Sequence, residues 1–506
     1  MILLDGQSLT LAQLIAIADG VATVGLAPDA AVRVDAARAV VDRKAAGDEA
    51  VYGINTGFGA LAETAIPRDA LGTLQLNLLR SHAAGVGEPL PVRAVRASMA
   101  LRANALAKGF SGIRRSTLER LIDLVNRRVH PRVPSRGSVG ASGDLAPLAH
   151  LALVLVGEGE ATVGDRGTWL PGGEALRAAG LDPITLESKE GLALINGTQP
   201  STAVAALAVD GAQGLARAAD IAAALSIDAL RGSLRPFDPR VHAARPHPGQ
   251  SASASNILRL LSGSAINQSH EHCGRVQDAY SLRCAAQVHG AARDAFRFVR
   301  DTLTIEANGA TDNPMVFADA GDIVSGGNFH GAPVSIAADL TAIALAQLVT
   351  ISERRSDRLV NPALSGLPAF LTSDSGLHSG YMMAQVTAAA LVSEIKTLCH
   401  PASVDTIPTS ANREDHVSMS MGAALKAARA LDLATRVIAV EILCACQAID
   451  LLAPLTTSSA LQRVHARVRS IVPPLAGDRP PAPDIEAISK IVADGSFESS
   501  CEVEVK

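Results

Sequence analysis

The sequence predicts a mostly α-helical protein with a long central helical bundle and a smaller N-terminal mixed domain. Residues 201–230, 334–360, 380–399 and about 418–453 form long stretches that are apolar on nearly every face. Helices of this kind belong inside a bundle or a subunit interface, because a solvated helix needs a polar face. The 506 residues, 48% of them hydrophobic, can also bury a large core.

The N-terminal region mixes short elements. A helix is predicted over 29–46. The glycines within 51–61 predict that this following segment is a loop. From Val92 onward, apolar residues recur at spacings of three and four, which predicts helices over 92–109 and 113–128.

We expect three regions along the chain. Residues 1–110 form the N-terminal mixed domain, and 111–472 form the helical bundle domain, with a small hairpin turning near 164–167. Five prolines then interrupt the helical pattern, so 473–506 is a Pro-rich segment with a short last helix opened by Asp484.

Composition limits the possible partners. The formal net charge is -5 and the pI is about 6.2, so no basic field is available for nucleic acid. Apolar runs such as 145–156 and 437–446 are too short to span a bilayer, and no signal peptide is evident. Six cysteines without a CxxC pair favour a reducing compartment. We expect a soluble cytoplasmic protein whose partners are small molecules or copies of itself, with no membrane partner.

One small-residue stretch, GSVGASGDLAPLAH (137–150), allows two interpretations. In the first, a turn leads into a helix capped by Asp144, with Pro147 tolerated in its first turn. In the second, the Gly143 nitrogen attacks the Ala141 carbonyl and closes a five-membered ring. Loss of water from this ring and from Ser142 leaves an exocyclic methylene, which is an electrophile made from the chain itself. Gly suits the attacking position because it lacks a Cβ.

Motifs along nearly the whole chain favour the second interpretation. They are YGINTGFG (52–59), SHAAGVGEPL (81–90), FSGIRR (110–115), EGLALINGTQ (190–199), VQDAYSLRC (276–284), DNP (312–314), SGGNFHG (325–331), SERR (352–355) and SANREDHVSM (410–419). Together with the stretch above, they resemble the aromatic amino acid ammonia-lyase family. The resemblance implies a fumarase/aspartase-like helical lyase architecture, a homotetramer, and 4-methylidene-imidazole-5-one (MIO) formed from Ala141, Ser142 and Gly143, with no external organic cofactor.

The resemblance also implies roles for individual residues. Tyr52 is expected to remove the β-proton, and Tyr280 to position the substrate or relay a proton. The other residues are expected to bind substrate or line the ring: Arg283 through the substrate carboxylate, Asn196 and Gln277 through neutral hydrogen bonds, and Phe329 beside the ring.

Substrate choice is implied by two positions. His82, in the pair Ser81-His82, and Glu414 match the histidine-specific members of the family. Imidazole has a donor and an acceptor nitrogen that such groups can bind, whereas a phenyl ring would leave them buried and unpaired. L-Histidine is therefore the expected substrate and trans-urocanate the expected product. Ala279 and Arg413 depart from the pattern of many relatives, and Arg413 adds a cation next to Glu414.

Five alternatives stand beside this interpretation. A tyrosine or phenylalanine ammonia-lyase, or an MIO aminomutase, would use the same scaffold, and an inactive helical scaffold protein would use none of its chemistry. His270-Glu271-His272-Cys273 contains metal-ligand types, but no second cluster accompanies it, so no metal site is expected. GINTGFG lacks the P-loop pattern and a following βαβ unit, which argues against nucleotide binding.

Overall fold

The structure is a computed structural model that describes residues 1–47, 49–57, 59–61, 63–164, 167–270, 274–501 and 503–506. Most of these residues are helical, which confirms the predicted mostly α-helical class.

Elements of the first 180 residues are short and alternate between strand and helix. In order they are β1 (Ile2–Leu4), α1 (Leu11–Ala18), β2 (Val24–Leu26), α2 (Pro28–Ala45), α3 (Leu71–His82), β3 (Val86–Pro89), α4 (Val92–Ala107), α5 (Arg115–Asn126), β4 (Val129–Pro131), β5 (Pro134–Arg136), α6 (Leu145–Leu155), β6 (Glu160–Val163), β7 (Leu170–Pro171) and α7 (Gly172–Ala178).

Longer helices dominate the rest of the chain. They and the remaining elements are α8 (Glu190–Ile195), α9 (Gln199–Ala229), α10 (Pro239–Ala243), α11 (Pro248–Leu261), α12 (Ala265–Gln268), α13 (Tyr280–Arg283), α14 (Ala285–Ala307), β8 (Met315–Phe317), β9 (Asp322–Val324), α15 (Ala332–Val360), α16 (Pro362–Ser365), α17 (Met382–Leu398), α18 (Ser420–Asp450), α19 (Ser459–Arg469), α20 (Ala482–Ala493) and α21 (Ser496–Ser499). Short 3-10 turns include Gly59–Leu61 and Ser410–Asn412.

The strands pair in small groups. β1 and β2 pair in parallel, with Ile2 opposite Val24. β3 pairs with β5, β6 with β4 and β7, and β8 with β9, all antiparallel. The pairing of β6 with β7 confirms the arms of the predicted hairpin, whereas residues 165–166 of its turn lie outside the described residues.

Two compact units divide the chain, each assembled from three stretches. The first unit is Met1–Leu207, Arg300–Asp339 and Pro401–Leu425, and the second is Ala208–Val299, Leu340–His400 and Lys426–Lys506. The predicted boundaries at 110 and 472 follow chain order and stay a prediction.

The long helices begin and end within a few residues of their predicted limits. α9, α15, α17 and α18 correspond to the four all-round apolar stretches. Much of α9, α15 and α18 is buried, because small alanines allow close packing, whereas α17 buries only Ala384, Ala388 and Ile395. The α20 prediction is wrong in one detail. Asp484 lies inside the first turn and is bound by Arg479, because the helix begins two residues earlier, after Pro481, and α21 follows it.

Two helical segments among the described residues are long and apolar enough to cross a membrane. They are Glu190–Ala229 and Ala332–Val360, with 94% and 61% of the apolar window buried inside the protein. The expectation from the sequence concerned uninterrupted apolar runs such as 145–156 and 437–446, which remain too short to span a bilayer. The two longer helices include a few polar residues. Since the core helices of soluble proteins have the same properties, this is weak evidence for a membrane span.

Candidate active site

The Ala-Ser-Gly tripeptide lies in the first unit, in the turn between β5 and α6. Ala141 and Gly143 are buried, and Ser142 is half-buried. Gly143 has φ +71°, and a Cβ at that position would lie 2.3 Å from the carbonyl oxygen of Gly197. Only glycine fits there, because both the backbone angle and the available space exclude a side chain.

Two hydrogen bonds join this turn to the segment after α8. The Asp144 N–H donates to the Gly197 carbonyl oxygen at 2.7 Å. The Asn196 amide Nδ2 donates to the Ser142 carbonyl oxygen at 3.0 Å. That donor draws electron density from the one carbonyl that would remain in a ring closed across the tripeptide.

Asp144 occupies the position before α6, yet the prediction that it caps this helix is wrong. Its carboxylate accepts from Ser138 Oγ at 2.6 Å and from the Ser201 N–H at 2.8 Å, and it makes no capping bond to α6. The side chain turns away because the N-terminus of α9 offers it an unsatisfied N–H. Complete burial raises the pKa of the Asp144 carboxyl, and these hydrogen bonds oppose that shift.

Glu414 faces the tripeptide. Ser142 Oγ donates to Glu414 Oε1 at 2.7 Å, and Thr409 Oγ1 donates to Oε2 at 2.6 Å. Residues 410–412 all have positive φ, between 49° and 65°, and the Thr409 and Glu414 backbones pair across this tight turn. The strained turn therefore presents the carboxylate in a fixed position.

His82 ends α3 and senses the same carboxylate. Its Nδ1 lies 2.9 Å from the Leu78 carbonyl oxygen, which can only accept, so Nδ1 carries the proton and Nε2 the lone pair. Burial lowers the pKa of the His82 imidazole, and both the Leu78 hydrogen bond and the Glu414 charge oppose that shift. A neutral imidazole with an accepting Nε2 results.

Tyr52 lies in a turn before the 3-10 turn Gly59–Leu61, which packs against Ser410–Asn412. The Gly59 N–H is 3.4 Å from the Tyr52 hydroxyl oxygen. Gly53 has φ +78°, and a Cβ there would lie 2.9 Å from both Leu192 and Pro314. The Tyr52 loop is thus pressed against the segment that carries Glu414.

Phe329 is half-buried, in the segment between β9 and α15. This segment returns to the tripeptide turn two residues later, where the Gly331 N–H donates to the Gly140 carbonyl oxygen at 3.3 Å. The neighbouring His330 ring stacks on His416 with a centroid separation of 5.7 Å. The contact of Phe329 with a ring stays a prediction.

Gln277, Tyr280 and Arg283 belong to the second unit. Tyr280 is 71% exposed, and the Arg283 guanidinium carbon lies 4.6 Å from the centre of its ring. Arg283 Nε is buried without an acceptor among the described residues, and Gln277 is exposed. Asp278 anchors this segment by accepting from the Ser233 N–H at 2.6 Å.

The structure therefore brings Ser142, Asn196, His82 and Glu414 together with the Tyr52 loop, and it separately brings Tyr280 beside Arg283. Sequence reasoning missed Thr409, which orients Glu414, and Arg102, a fully buried cation under the Asn196 segment. Arg102 could have been noticed as a charge within α4, whose other residues are mostly small or apolar.

The tripeptide passes a test of fit for MIO. Gly143 occupies a cradle that any Cβ would fill, and Asn196 Oδ1 is buried without a partner among the described residues. The Glu414 carboxylate holds the Ser142 hydroxyl group through the hydrogen bond described above. The metal alternative at 270–273 falls mainly on 271–273, which lie outside the described residues. Elsewhere in the described chain, no group of three or more His, Cys, Asp or Glu could hold a metal ion.

Comparison with known proteins places this geometry in context. The family model described as aromatic amino acid lyase matches residues 9–470. Histidine ammonia-lyase of Anaeromyxobacter sp. (strain K) is 57% identical over 504 residues, which cover 98% of this chain and 99% of that one.

Solved structures agree in fold. Histidine ammonia-lyase from Trypanosoma cruzi has a TM-score of 0.92 at 46% identity, covering 99% of this chain and 95% of that one. Tyrosine aminomutase from Streptomyces globisporus has a TM-score of 0.95 at 37% identity, with both chains fully covered. Because a lyase and an aminomutase share this fold, the fold alone does not fix the reaction.

Proposed function

This chain belongs to the aromatic amino acid lyase family, and we propose that it eliminates ammonia from L-histidine to give trans-urocanate. The observation that carries the substrate choice is the neutral His82 and the Glu414 carboxylate beside Ser142. A substrate imidazole N–H can donate to His82 Nε2 or to the carboxylate, whereas a phenyl ring offers neither group a hydrogen bond. The name of the 57% identical relative supports the same choice.

We propose that Ala141, Ser142 and Gly143 form MIO, so that no external organic cofactor is needed. This group supplies an electrophile for the amino nitrogen of the substrate. Asn196 Nδ2 holds the Ser142 carbonyl oxygen, and the Glu414 carboxylate holds the Ser142 hydroxyl group in place for its loss as water. The hydrogen bonds that the Asp144 carboxylate accepts from Ser138 and Ser201 brace the turn.

The remaining predicted residues divide the work of binding and proton transfer. Tyr52 removes the β-proton. This role is supported by the packing of the Tyr52 loop beside the Glu414 segment, where the substrate ring is proposed to bind. Arg283 binds the substrate carboxylate through its planar fork of donors. Tyr280 positions the Arg283 guanidinium through the cation–π contact. Gln277 contributes a neutral hydrogen bond, and Phe329 lines the ring.

We also propose a homotetramer whose sites combine residues of different chains. Exposed Tyr280 and Gln277 support this, since groups that bind a buried substrate are expected to be covered in the working protein. Apolar side chains on α15 and α17 are exposed in the single chain as well: Ile336, Ile343, Met383 and Val386. A cytoplasmic location is consistent with the free thiols among the described cysteines.

The deciding experiment supplies L-histidine, L-tyrosine and L-phenylalanine separately and follows the products by ultraviolet absorbance, with Ser142→Ala as the control. Urocanate from histidine alone, abolished by the substitution, is the expected result. Coumarate or cinnamate would instead favour an aryl ammonia-lyase.

A β-amino acid, detected by chromatography, would favour an aminomutase, whose scaffold the chain shares with the Streptomyces globisporus enzyme. Failure of the wild-type chain to lose water at the tripeptide would favour an inactive helical scaffold protein.

A further inference from the structure

Arg102 is a cation enclosed within the first unit. It lies on α4 and is 0% exposed. Burial lowers the pKa of its guanidinium to about 10, against the opposing charge of Asp312, so it remains protonated near neutral pH. A buried charge is tolerated only where hydrogen bonds replace its hydration, so its acceptors show what it organises.

The acceptors of Arg102 converge on one segment of backbone. Its Nε donates to the Ala193 carbonyl oxygen at 2.9 Å, and its Nη1 donates to the Asn196 carbonyl oxygen at 3.1 Å. Nη1 also contacts Gln199 Oε1 at 2.9 Å and the Thr311 carbonyl oxygen at 3.0 Å. The guanidinium therefore fixes both the end of α8 and the start of α9.

This segment is the one that touches the tripeptide. Asn196 Nδ2 binds the Ser142 carbonyl oxygen, and the Gly197 carbonyl oxygen accepts from the Asp144 N–H. Arg102 therefore binds the backbone of Asn196, and Asn196 and the next residue, Gly197, make the two contacts with the tripeptide turn.

Close packing makes that connection stiff. A Cβ on Gly197 would lie 2.2 Å from Arg102 Nη1, and a Cβ on Gly143 would lie 2.3 Å from the Gly197 carbonyl oxygen. The guanidinium, the Gly197 backbone and the Gly143 backbone therefore stack with no space for another atom. A shift of the guanidinium would be passed directly to the Gly143 backbone.

We propose that Arg102 is the positioning residue that holds the Asn196–Gly197 backbone against the tripeptide and is thereby required for efficient ring closure. This inference rests on the proposed function, because it concerns maturation of the same site. Arg102 contacts no atom of the ring; it acts through Asn196 and Gly197.

The ring-forming step balances without an added reagent. Gly143 N bonds to the Ala141 carbonyl carbon, and the former carbonyl oxygen leaves as water with the Gly143 and Ser142 amide protons. A second water takes the Ser142 hydroxyl and the Ser142 Cα proton. The attack requires Gly143 N to be held against the Ala141 carbonyl carbon, and effective concentration falls steeply when such alignment is lost.

Arginine suits this task better than lysine. One planar guanidinium reaches acceptors on two separate stretches of chain at once, whereas an ammonium is a single donor centre on a flexible stem. Arg102→Lys therefore keeps the charge and removes the fork.

The experiment measures maturation separately from turnover. Wild type and Arg102→Lys are made by cell-free translation, and the loss of two water molecules is followed over time by intact mass in denaturant, with circular dichroism and thermal melting as measures of folding. Arg96→Lys is the matched control, because Arg96 is a second buried arginine of α4. It donates to the Ile17 and Val125 carbonyls.

We expect Arg102→Lys to lose water at least about tenfold more slowly than wild type, the scale of losing a charge-assisted hydrogen bond. Arg96→Lys should mature at the wild-type rate even where its melting temperature falls as much. A folded Arg102→Lys protein that matures at the wild-type rate would overturn the proposal, and so would equal slowing in Arg96→Lys.

If Arg102→Lys does not fold, Gly197→Ala decides, because its methyl group pushes directly against the guanidinium. Slow maturation of the folded variant supports the proposal, and wild-type maturation overturns it. The wild-type arm separates this inference from the proposed function: a wild-type chain that loses two waters but does not convert histidine contradicts only the substrate, whereas one that never loses water contradicts the prosthetic group itself.

Discussion

In the first unit, Ser142 is hydrogen-bonded through both its hydroxyl and its carbonyl oxygen, whereas in the second unit Tyr280 exposes 71% of its surface. The tripeptide and its partners are fixed within one chain by glycine backbone and buried polar groups. The Tyr280–Arg283 segment carries a guanidinium whose Nε is unpaired in the described structure. On the proposed function, we expect formation of the electrophile to depend on one chain and binding of the substrate to be completed in the proposed homotetramer.

The largest break in this comparison is Ser142→Ala. Without the hydroxyl no methylene can form, so turnover of histidine should fall by about 10³-fold or more, the scale of losing a covalent catalytic group. The intact mass should no longer show the loss of two waters. Ser135→Ala, on the neighbouring strand β5, is the control and should keep wild-type activity. Retained turnover in Ser142→Ala would contradict the proposed prosthetic group.

Arg283→Lys tests the second unit alone. Losing the planar fork should raise KM for histidine by about 10 to 100-fold, because a lysine cannot bind a carboxylate through two parallel bonds. Ring formation, read by intact mass, should be unchanged, since the tripeptide and its partners lie in the other unit. Arg297→Lys, at an exposed ion pair on α14, should leave KM unaltered. Slower ring formation in Arg283→Lys would contradict the expectation that ring formation does not depend on the second unit.

Glu414→Gln sharpens the role of the first unit in specificity. The amide keeps the size of the side chain but loses its charge, so kcat/KM for histidine should fall by about tenfold or somewhat more. The ratio of histidine to phenylalanine activity should fall with it, because a phenyl ring gains nothing from the carboxylate. Equal losses for both substrates would argue that Glu414 serves the chemistry and does not select the ring. Glu394→Gln, at a surface ion pair, provides the control.

The smallest expected effect concerns stability in the second unit. His289 is fully buried with Asp220 on Nδ1 and Arg355 on Nε2, while Arg293 binds Asp220 and Glu441 binds Arg355. Burial lowers the pKa of His289 below its ordinary 6.5, against the opposing Asp220 hydrogen bond. The unfolded chain therefore binds the extra proton first, and stability should fall as pH drops from 6.5 toward the folded pKa.

His289→Gln checks this by urea unfolding over a pH series. Gln cannot take up the proton, so the loss of stability just below pH 6.5 should shrink. The decline below pH 3.8 should remain. Burial raises the pKa of Asp220, but the Arg293 charge and the Asn256 hydrogen bond, which the variant keeps, still lower it. An unchanged profile near pH 6.5 would remove His289 from the account.

Local pattern was enough for much of the fold. The all-round apolar stretches predicted α9, α15, α17 and α18 to within a few residues, although α17 is largely exposed in the single chain. The arms of the 158–170 hairpin were likewise visible in the sequence. The division into two units was not, since each gathers stretches far apart in the chain, and no local signal encodes which distant stretches pack together.

The sequence predicted which residues form the candidate site, but not the contacts that hold those residues in place. The family motifs named Ser142, Asn196 and Glu414, and the structure brings these three residues into contact. The motifs did not reveal that Asp144 binds the start of α9 in place of capping α6. The Arg102 acceptors lie up to 209 positions away in sequence, so they too become visible only after folding.

The Gly143–Gly197 stack also has a consequence for reading sequence variation. Neither residue can acquire a side chain without a collision, and the collision occurs in the interior where nothing on the surface would record it. A homologous chain that carries any other amino acid at either position is therefore expected to keep its fold but to fail to form the proposed prosthetic group. The residues at positions 143 and 197 can therefore be used to distinguish active from inactive homologues in newly sequenced genomes.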